Sequence, residues 1–213
     1  MPEFSGVTRP LSETERCLLI GDLKRSQRQM RSFLKRLLSV GPVIFGTLWA
    51  VTLITEKGRH WLFATALWLG VSVLILAWAY FSEKPKYDAA IRRCEDALQR
   101  NEAHETSIQS DAFVELEEIE DEGVCYAFQL SHRRIVFVSG QDYYPTARFP
   151  NSDFSLIRIF DQQNFLVEEF VEKRGNKLKP QRKISAEMKS KLKVPGHLQV
   201  VEGDLDQLEN LLK

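Results

Sequence analysis

The sequence predicts an α+β membrane protein in which a two-helix transmembrane hairpin with flanking cytoplasmic helices precedes a β-rich domain. Two uncharged segments predict the hairpin, because residues 37–55 and 61–81 number 19 and 21. About 20 apolar residues cross roughly 30 Å of hydrocarbon as a helix. A third observation predicts the β-rich domain, since short runs of β-branched and aromatic residues recur after residue 109.

Composition argues against several classes of protein. The chain has 29 basic and 29 acidic side chains, and this balance is not that of a wholesale polybasic nucleic-acid binder. Cys17, Cys94 and Cys125 are too few for a disulfide-dense secreted scaffold. The first 36 residues are polar and charged, which is not the pattern of a secretory signal peptide. We therefore expect both apolar segments to remain in the mature protein.

Residues 1–36 are predicted to be a cytoplasmic segment that contains an amphipathic basic helix. Ser12 and Glu15 have capping-box spacing, and Leu and Met residues then recur on one helical face, with basic residues largely on the others. This helix either pairs with the helical stretch after Pro85, forming a stalk, or lies on the anionic surface of the membrane. The second apolar stripe after residue 87 favours the stalk.

Residues 37–81 form the predicted transmembrane hairpin. Segment 61–81 is apolar on every side and has aromatic residues at both ends, as is typical of membrane interfaces. In segment 37–55, Gly46 and Ala50 form a small-xxx-small pair that would let a second helix approach closely, although this pattern is common by chance. Neither segment contains an ionisable residue, which disfavours a pump or carrier acting alone.

The connection between the segments predicts the orientation. Only residues 56–60 separate them, so both termini are expected on one side of the membrane. Twelve Lys and Arg residues flank the outer ends of the hairpin and two lie in the connection. The positive-inside rule then predicts a multi-pass integral membrane protein with cytoplasmic N- and C-termini and free thiols.

Residues 82–108 are predicted to be a helical stalk and linker, and 109–213 a cytoplasmic β-rich domain. Strands 124–130 and 134–139 are expected to form one hairpin around 131–133, and strands 154–160 and 165–171 a second. Asp204 is expected to cap a C-terminal helix whose leucines cover one end or face of the sheet: Leu205, Leu208, Leu211 and Leu212. The expected fold is a small antiparallel β-barrel or sandwich closed by that helix. In order of elements it resembles pleckstrin-homology-like domains.

The zero net charge hides two blocks of opposite sign. Residues 101–122 contain nine acidic side chains, and residues 171–199 contain nine basic ones. The basic block is a candidate membrane-surface site for anionic lipid headgroups, and the alternative is screening by the acidic block. It has no interleaved aromatic residue, which argues against single-stranded RNA binding. The nine residues are Lys173, Arg174, Lys177, Lys179, Arg182, Lys183, Lys189, Lys191 and Lys193.

The segment 139–154 is a second candidate site. Pro145 and Pro150 prevent it from being regular strand throughout. Tyr143 and Tyr144 are adjacent and point in opposite directions in an extended chain, so at least one is expected to be exposed beside Arg148 as a protein-binding anchor. The alternative is a structural plug, in which aromatic residues such as Phe149 and Phe154 close the end of the barrel.

No motif in the sequence predicts catalysis, a metal or a cofactor. The four histidines are isolated, and CxxC, HExxH, GxGxxG and GxxxxGK[ST] are absent. The predicted function is a membrane-anchored, non-enzymatic scaffold or accessory subunit that presents the β-domain to an unidentified protein or to lipid headgroups. The sequence leaves open whether the chain forms homo-oligomers, and a nucleic-acid partner is not expected. The alternatives are a membrane-tethered enzyme or regulator with a site in the β-domain cleft, and a subunit of an oligomeric channel or transporter.

Overall fold

The structure, a computed structural model, describes residues 4–55, 61–130 and 133–213. The predicted connection 56–60 and most of the predicted turn 131–133 lie outside the described residues. The chain divides into two compact units. A helical unit comprises Leu11–Asn101 and Asp161–Val167, and a β-rich unit comprises Met1–Pro10, Glu102–Phe160 and Glu168–Lys213.

Two long helices make up most of the helical unit: α1 (Glu13–Thr55) and α2 (Trp61–Arg100). The predicted capping box begins α1, because the Ser12 amide donates to Glu15 Oε2 at 2.8 Å and the Glu15 amide donates to Ser12 Oγ at 3.3 Å. Each apolar segment is continuous with its flanking polar helix. Both helices are long and apolar enough to span a membrane.

The helices pack antiparallel through two reciprocal tryptophan–threonine hydrogen bonds. Trp49 Nε1 donates to Thr65 Oγ1 at 2.7 Å, and Trp68 Nε1 donates to Thr52 Oγ1 at 2.6 Å. Each threonine hydroxyl in turn donates to the carbonyl four residues earlier in its helix. Both indole N–H groups therefore find acceptors inside an otherwise apolar interface.

The two helices approach each other closely at Gly41. A Cβ added to Gly41 would lie 2.7 Å from Leu76 Cδ1, whereas one added to Gly46 would have no atom within 4 Å. Ala50 is exposed. The small-xxx-small pair is therefore not used between α1 and α2.

The β-rich unit contains two separate sheets. The strands of the first, in spatial order, are β1 (Phe4–Pro10), β2 (Glu102–Gln109), β6 (Asp153–Phe160) and β7 (Leu166–Lys173). Those of the second are β8 (Arg182–Ile184), β3 (Phe113–Leu116), β4 (Val124–Leu130), β5 (Arg134–Gly140) and β9 (Val200–Glu202). Strand β8 pairs parallel with β3, so the second sheet is mixed.

Of the predicted barrel or sandwich, the closed barrel is wrong, because neither sheet closes on itself. Strands β1 and β2, which were not predicted, pair with each other and with β6. The two predicted hairpins are consequently divided between separate sheets. Both sheets contribute to one apolar cluster, which contains Phe113, Tyr126 and Phe128 from the second sheet and Phe154 and Leu156 from the first.

The C-terminal residues cover the opposite face of the second sheet. Leu205, Leu208 and Leu212 pack there with Ile184, as predicted for the first three, whereas Leu211 is 40% exposed. A short helix, α3 (Ala186–Lys189), precedes this layer in the chain. Further along, a 3-10 turn (Leu205–Gln207) leads into a second short helix, α4 (Leu208–Leu211). The predicted cap is wrong, because the Asp204 side chain makes no capping hydrogen bond and lies 3.6 Å from Arg133 Nε.

The two leucines of α4 form a matched pair for testing this layer. We expect Leu208→Ala to lower the free energy of unfolding of the β-rich unit by about 2–5 kcal/mol, because it removes a fully buried side chain. Leu211→Ala should change it by less than about 1 kcal/mol, since that side chain is substantially exposed. Urea unfolding of the full chain in detergent, followed by near-ultraviolet circular dichroism, measures both. Equal effects of the two substitutions would contradict this placement of the C-terminal layer.

Candidate functional site

Tyr143, one of the three predicted protein-binding residues, lies in the core. It ends the 3-10 turn Gln141–Tyr143 after β5 and is 4% exposed. Its ring stacks on His197 with centroids 5.3 Å apart, and its hydroxyl lies 3.4 Å from His197 Nε2. The Ser139 amide donates to His197 Nδ1 at 3.2 Å, which leaves Nε2 to carry the proton of a neutral ring. Tyr143 is therefore a packing residue.

Phe149 and Phe154 are also buried, as the plug interpretation expects. Their rings meet edge to face, 5.3 Å apart, within the cluster between the two sheets. They fill the space between sheets and not the end of a barrel. Phe154 belongs to the regular strand β6 and not to the loop before it.

Tyr144 and Arg148 remain at the surface. Tyr144 is 44% exposed, and its hydroxyl lies 2.8 Å from both carboxylate oxygens of Glu118. Hydrogen bonding to Glu118 raises the pKa of Tyr144 above its ordinary value, because it stabilises the protonated phenol. Arg148 donates to the carbonyl of Lys173 at 3.3 Å. The two side chains are held by different elements, and none of the contacts described for this loop joins them directly.

Asn151 fixes the loop that carries these side chains. It is almost fully buried, and its Nδ2 donates to the carbonyls of Arg148 and Gly175, both at 3.0 Å. Its Oδ1 accepts from the amides of Asp153 at 3.0 Å and Gly175 at 2.9 Å. Both polar ends of one buried amide are thus used to tie the segment to the residues after β7. Tyr144 and Arg148 consequently stand on an anchored loop.

The basic block is largely neutralised within the β-rich unit. Three of its members pair with the acidic block: Arg174 with Glu105 at 3.7 Å, Lys183 with Glu115 at 2.9 Å, and Lys189 with Glu122 at 3.3 Å. Arg182 pairs with Glu209 at 3.3 Å and Lys191 with Glu187 at 3.0 Å. The alternative of screening by the acidic block therefore describes three of the nine residues, and two more pair with carboxylates outside that block.

The other four basic residues differ in what they contact. Lys173 Nζ lies 5.9 Å from the centroid of the Phe149 ring, and Lys177 donates to the Thr146 carbonyl at 2.8 Å. Lys179 and Lys193 are exposed. Only a minority of the block is thus left to meet an external anion.

Arg174 and Glu105 belong to a polar network across the first sheet. Glu105 Oε2 accepts from Arg9 Nε at 2.8 Å, and Arg174 also contacts Ser155 and lies 3.6 Å from Asp153 Oδ1. The Arg9 hydrogen bond holds the pKa of Glu105 below its ordinary value. This network joins β1, β2 and β6, and it is a structural use of residues predicted to face a membrane.

Two further features become visible in the tertiary structure. The first is a basic collar on the helical unit, in which exposed cations of α1 and α2 lie at the same end of the hairpin, where Phe33 and Tyr87 are 5.8 Å apart. The collar consists of Lys24, Arg28, Arg31, Lys35 and Arg36 on α1 and Arg92 and Arg93 on α2. The number of these cations predicted the orientation of the hairpin. Only the long continuous helices, however, place the cations of α1 and α2 together.

The second feature is the burial of Lys189, which is 6% exposed. It lines a groove of about 460 Å³ together with Glu122 and Cys125. Cys125 is buried, as expected, and burial raises the pKa of its thiol to about 11, so the thiol stays protonated at neutral pH. No local pattern in the sequence separates Lys189 from the other basic residues of the block.

Comparison with known proteins returned no relative: no protein-family model matches the chain, and neither a curated protein nor a solved structure is similar to it. Within residues 4–55, 61–130 and 133–213, no group of three or more His, Cys, Asp or Glu side chains is arranged to hold a metal ion. The candidate surfaces therefore stand on the geometry of this chain alone.

The adjacent tyrosines separate packing from surface exposure. We expect Tyr143→Ala to lower the free energy of unfolding by about 3–5 kcal/mol, because it empties a site in the aromatic cluster. Tyr144→Ala removes an exposed ring and should cost less than about 1 kcal/mol. Thermal melting of the two variants in the same detergent checks this. A lower melting temperature for Tyr144→Ala than for Tyr143→Ala would overturn the assignment.

Proposed function

We propose that this chain is a two-pass, membrane-anchored, non-enzymatic scaffold or accessory subunit. In this proposal α1 and α2 insert as an antiparallel hairpin. The β-rich unit is then held at the cytoplasmic surface, where it recognises a protein partner.

The observation that carries the proposal is the exposure of apolar side chains around both helices. In the most apolar 18-residue window of each helix, only 6% is buried. Leu74, near the middle of the second apolar segment, is 71% exposed. Burying one such side chain is favourable by about 1.5–3 kcal/mol, so leaving many in water is costly. Lipid around the helices removes that cost.

The polar groups of the helical unit support the same environment. Helices satisfy their backbone hydrogen bonds internally, as a hydrocarbon setting requires. The reciprocal Trp49–Thr65 and Trp68–Thr52 bonds satisfy the indoles within the hairpin. The basic collar follows the apolar segments at the end where anionic headgroups would lie, and each cation near such a surface contributes about 1 kcal/mol.

The anchored loop supports protein recognition by the β-rich unit. Arginine and aromatic side chains dominate binding energy at protein interfaces, and a fixed loop loses little entropy when bound. Tyr144 and Arg148 meet these conditions, and Tyr143 is left out because it is buried. Lys177, Lys179 and Lys193 could add contacts to an acidic partner or headgroup. Tyr144→Ala is therefore the variant that can lose partner binding while the protein stays folded.

A charge placed in the apolar segment tests membrane insertion. We expect Leu74→Arg to reduce the fraction of protein that resists alkaline carbonate extraction, because an arginine near the helix centre costs about 2.5–3.5 kcal/mol on insertion. Ala90→Arg, at an exposed position of α2 beyond the apolar segment, should leave extraction unchanged. Complete extraction of the wild-type chain would contradict membrane anchoring.

Orientation is tested with an impermeant thiol reagent. We expect Gly58→Cys in a Cys17→Ser background to react in intact cells, because the connection carries two of the flanking cations and the outer ends carry twelve. The wild-type chain should react at Cys17, the exposed native thiol, only after permeabilisation. Cys94 and Cys125 are buried and serve as unreactive internal controls. Labelling of Cys17 from outside would reverse the orientation.

A further inference from the structure

The groove around Lys189 is built from the face of the second sheet that the C-terminal residues cover. Cys125 of β4 and Ser139 of β5 are register partners and form its floor. Leu192, Val194 and Pro195 form an apolar wall, and Gly123 lies at the rim. Its volume of about 460 Å³ lies within the range of pockets that hold small organic molecules.

Lys189, the one cation among the described residues that line this groove, is buried, and its counter-charge is not. Lys189 is 6% exposed, whereas its partner Glu122 is 63% exposed, and Nζ and Oε2 are 3.3 Å apart. A buried ammonium is costly unless it is paired, and it has three N–H groups to donate. Among the described residues, Glu122 supplies its single ion pair. The ammonium thus depends on a carboxylate that stands mostly in water.

The turn that carries Glu122 is fixed independently of this ion pair. The Gly123 amide donates to Glu118 Oε1 at 2.9 Å, and the same carboxylate accepts from Tyr144. Gly123 has a φ of +82°, and a Cβ there would meet the backbone amide nitrogen of Gln141 at 2.5 Å. The backbone of the turn is therefore held by Glu118 and Gly123. Glu122 can rotate its side chain into solvent while the rim stays in place.

We propose that this groove binds a small monocarboxylate, whose carboxylate replaces that of Glu122 on Lys189 while its apolar chain lies along Leu192, Val194 and Pro195. The contact with Glu122 already shows that the ammonium binds a carboxylate. One buried positive charge is balanced by one negative charge, so the groove matches a ligand with a single negative charge. The apolar wall favours an acid with several carbons over acetate. This site does not depend on membrane anchoring.

The probe is hexanoate, titrated calorimetrically into the full chain in phosphatidylcholine nanodiscs at neutral pH, with empty nanodiscs as the blank. Hexanoate should bind saturably with one site per chain, and hexanamide, which keeps the chain but lacks the charge, should not bind. Glu122→Gln removes the competing carboxylate. It should tighten hexanoate binding about two- to fivefold, the range expected for a partly exposed ion pair.

Lys189→Met keeps the length of the side chain without its charge and should weaken binding at least tenfold. Lys191→Met is the matched control, because Lys191 is exposed and pairs with Glu187 at 3.0 Å outside the groove. It should bind as the wild type does. If Lys189→Met does not fold, the hexanamide comparison and Glu122→Gln still decide the question. Equal binding of hexanoate and hexanamide, or no gain in affinity in Glu122→Gln, would overturn the proposal.

Discussion

Strands β4 and β5 are buried on both faces, and most features of the β-rich unit follow from that constraint. One face packs Tyr126, Phe128 and Val136 against the first sheet, and the other packs Ala127 and Phe137 against the C-terminal residues. A strand buried on both sides must be apolar at nearly every position, as these two are. The C-terminal layer is then required for stability, because without it the second face would lie in water.

The same layer creates a feature of the β-rich unit that packing alone does not explain. The short α3 and the chain after it leave a groove over Cys125 and Ser139, and they place the Lys189 ammonium inside it. A well-packed apolar residue would serve stability at least as well as a buried ion pair. Since this pair leaves its carboxylate exposed, a ligand role accounts for the cation better than a structural one.

Charge has different uses in the two units. In the β-rich unit three ion pairs join the acidic and basic blocks: Arg174–Glu105, Lys183–Glu115 and Lys189–Glu122. In the helical unit the collar cations remain exposed beside the apolar segments. Within our proposal, attraction to anionic lipid is therefore assigned to the collar and not to the basic block that the sequence singled out.

The sequence by itself determined the elements whose signal is local. Both apolar helices, the capping box at Ser12 and four strands follow from composition and period within single segments, and the structure reproduces β4 at its predicted bounds. Strands β1 and β2 were not predicted, because β1 contains Gly6 and Pro10 and has no buried residue, and β2 buries only small or isolated side chains such as Ala103. Only the tertiary structure decided which strands share a sheet, which of Tyr143 and Tyr144 faces the core, and whether Lys189 meets water. Each depends on partners distant in sequence, and no local pattern encodes the contact that buries one of two neighbouring residues.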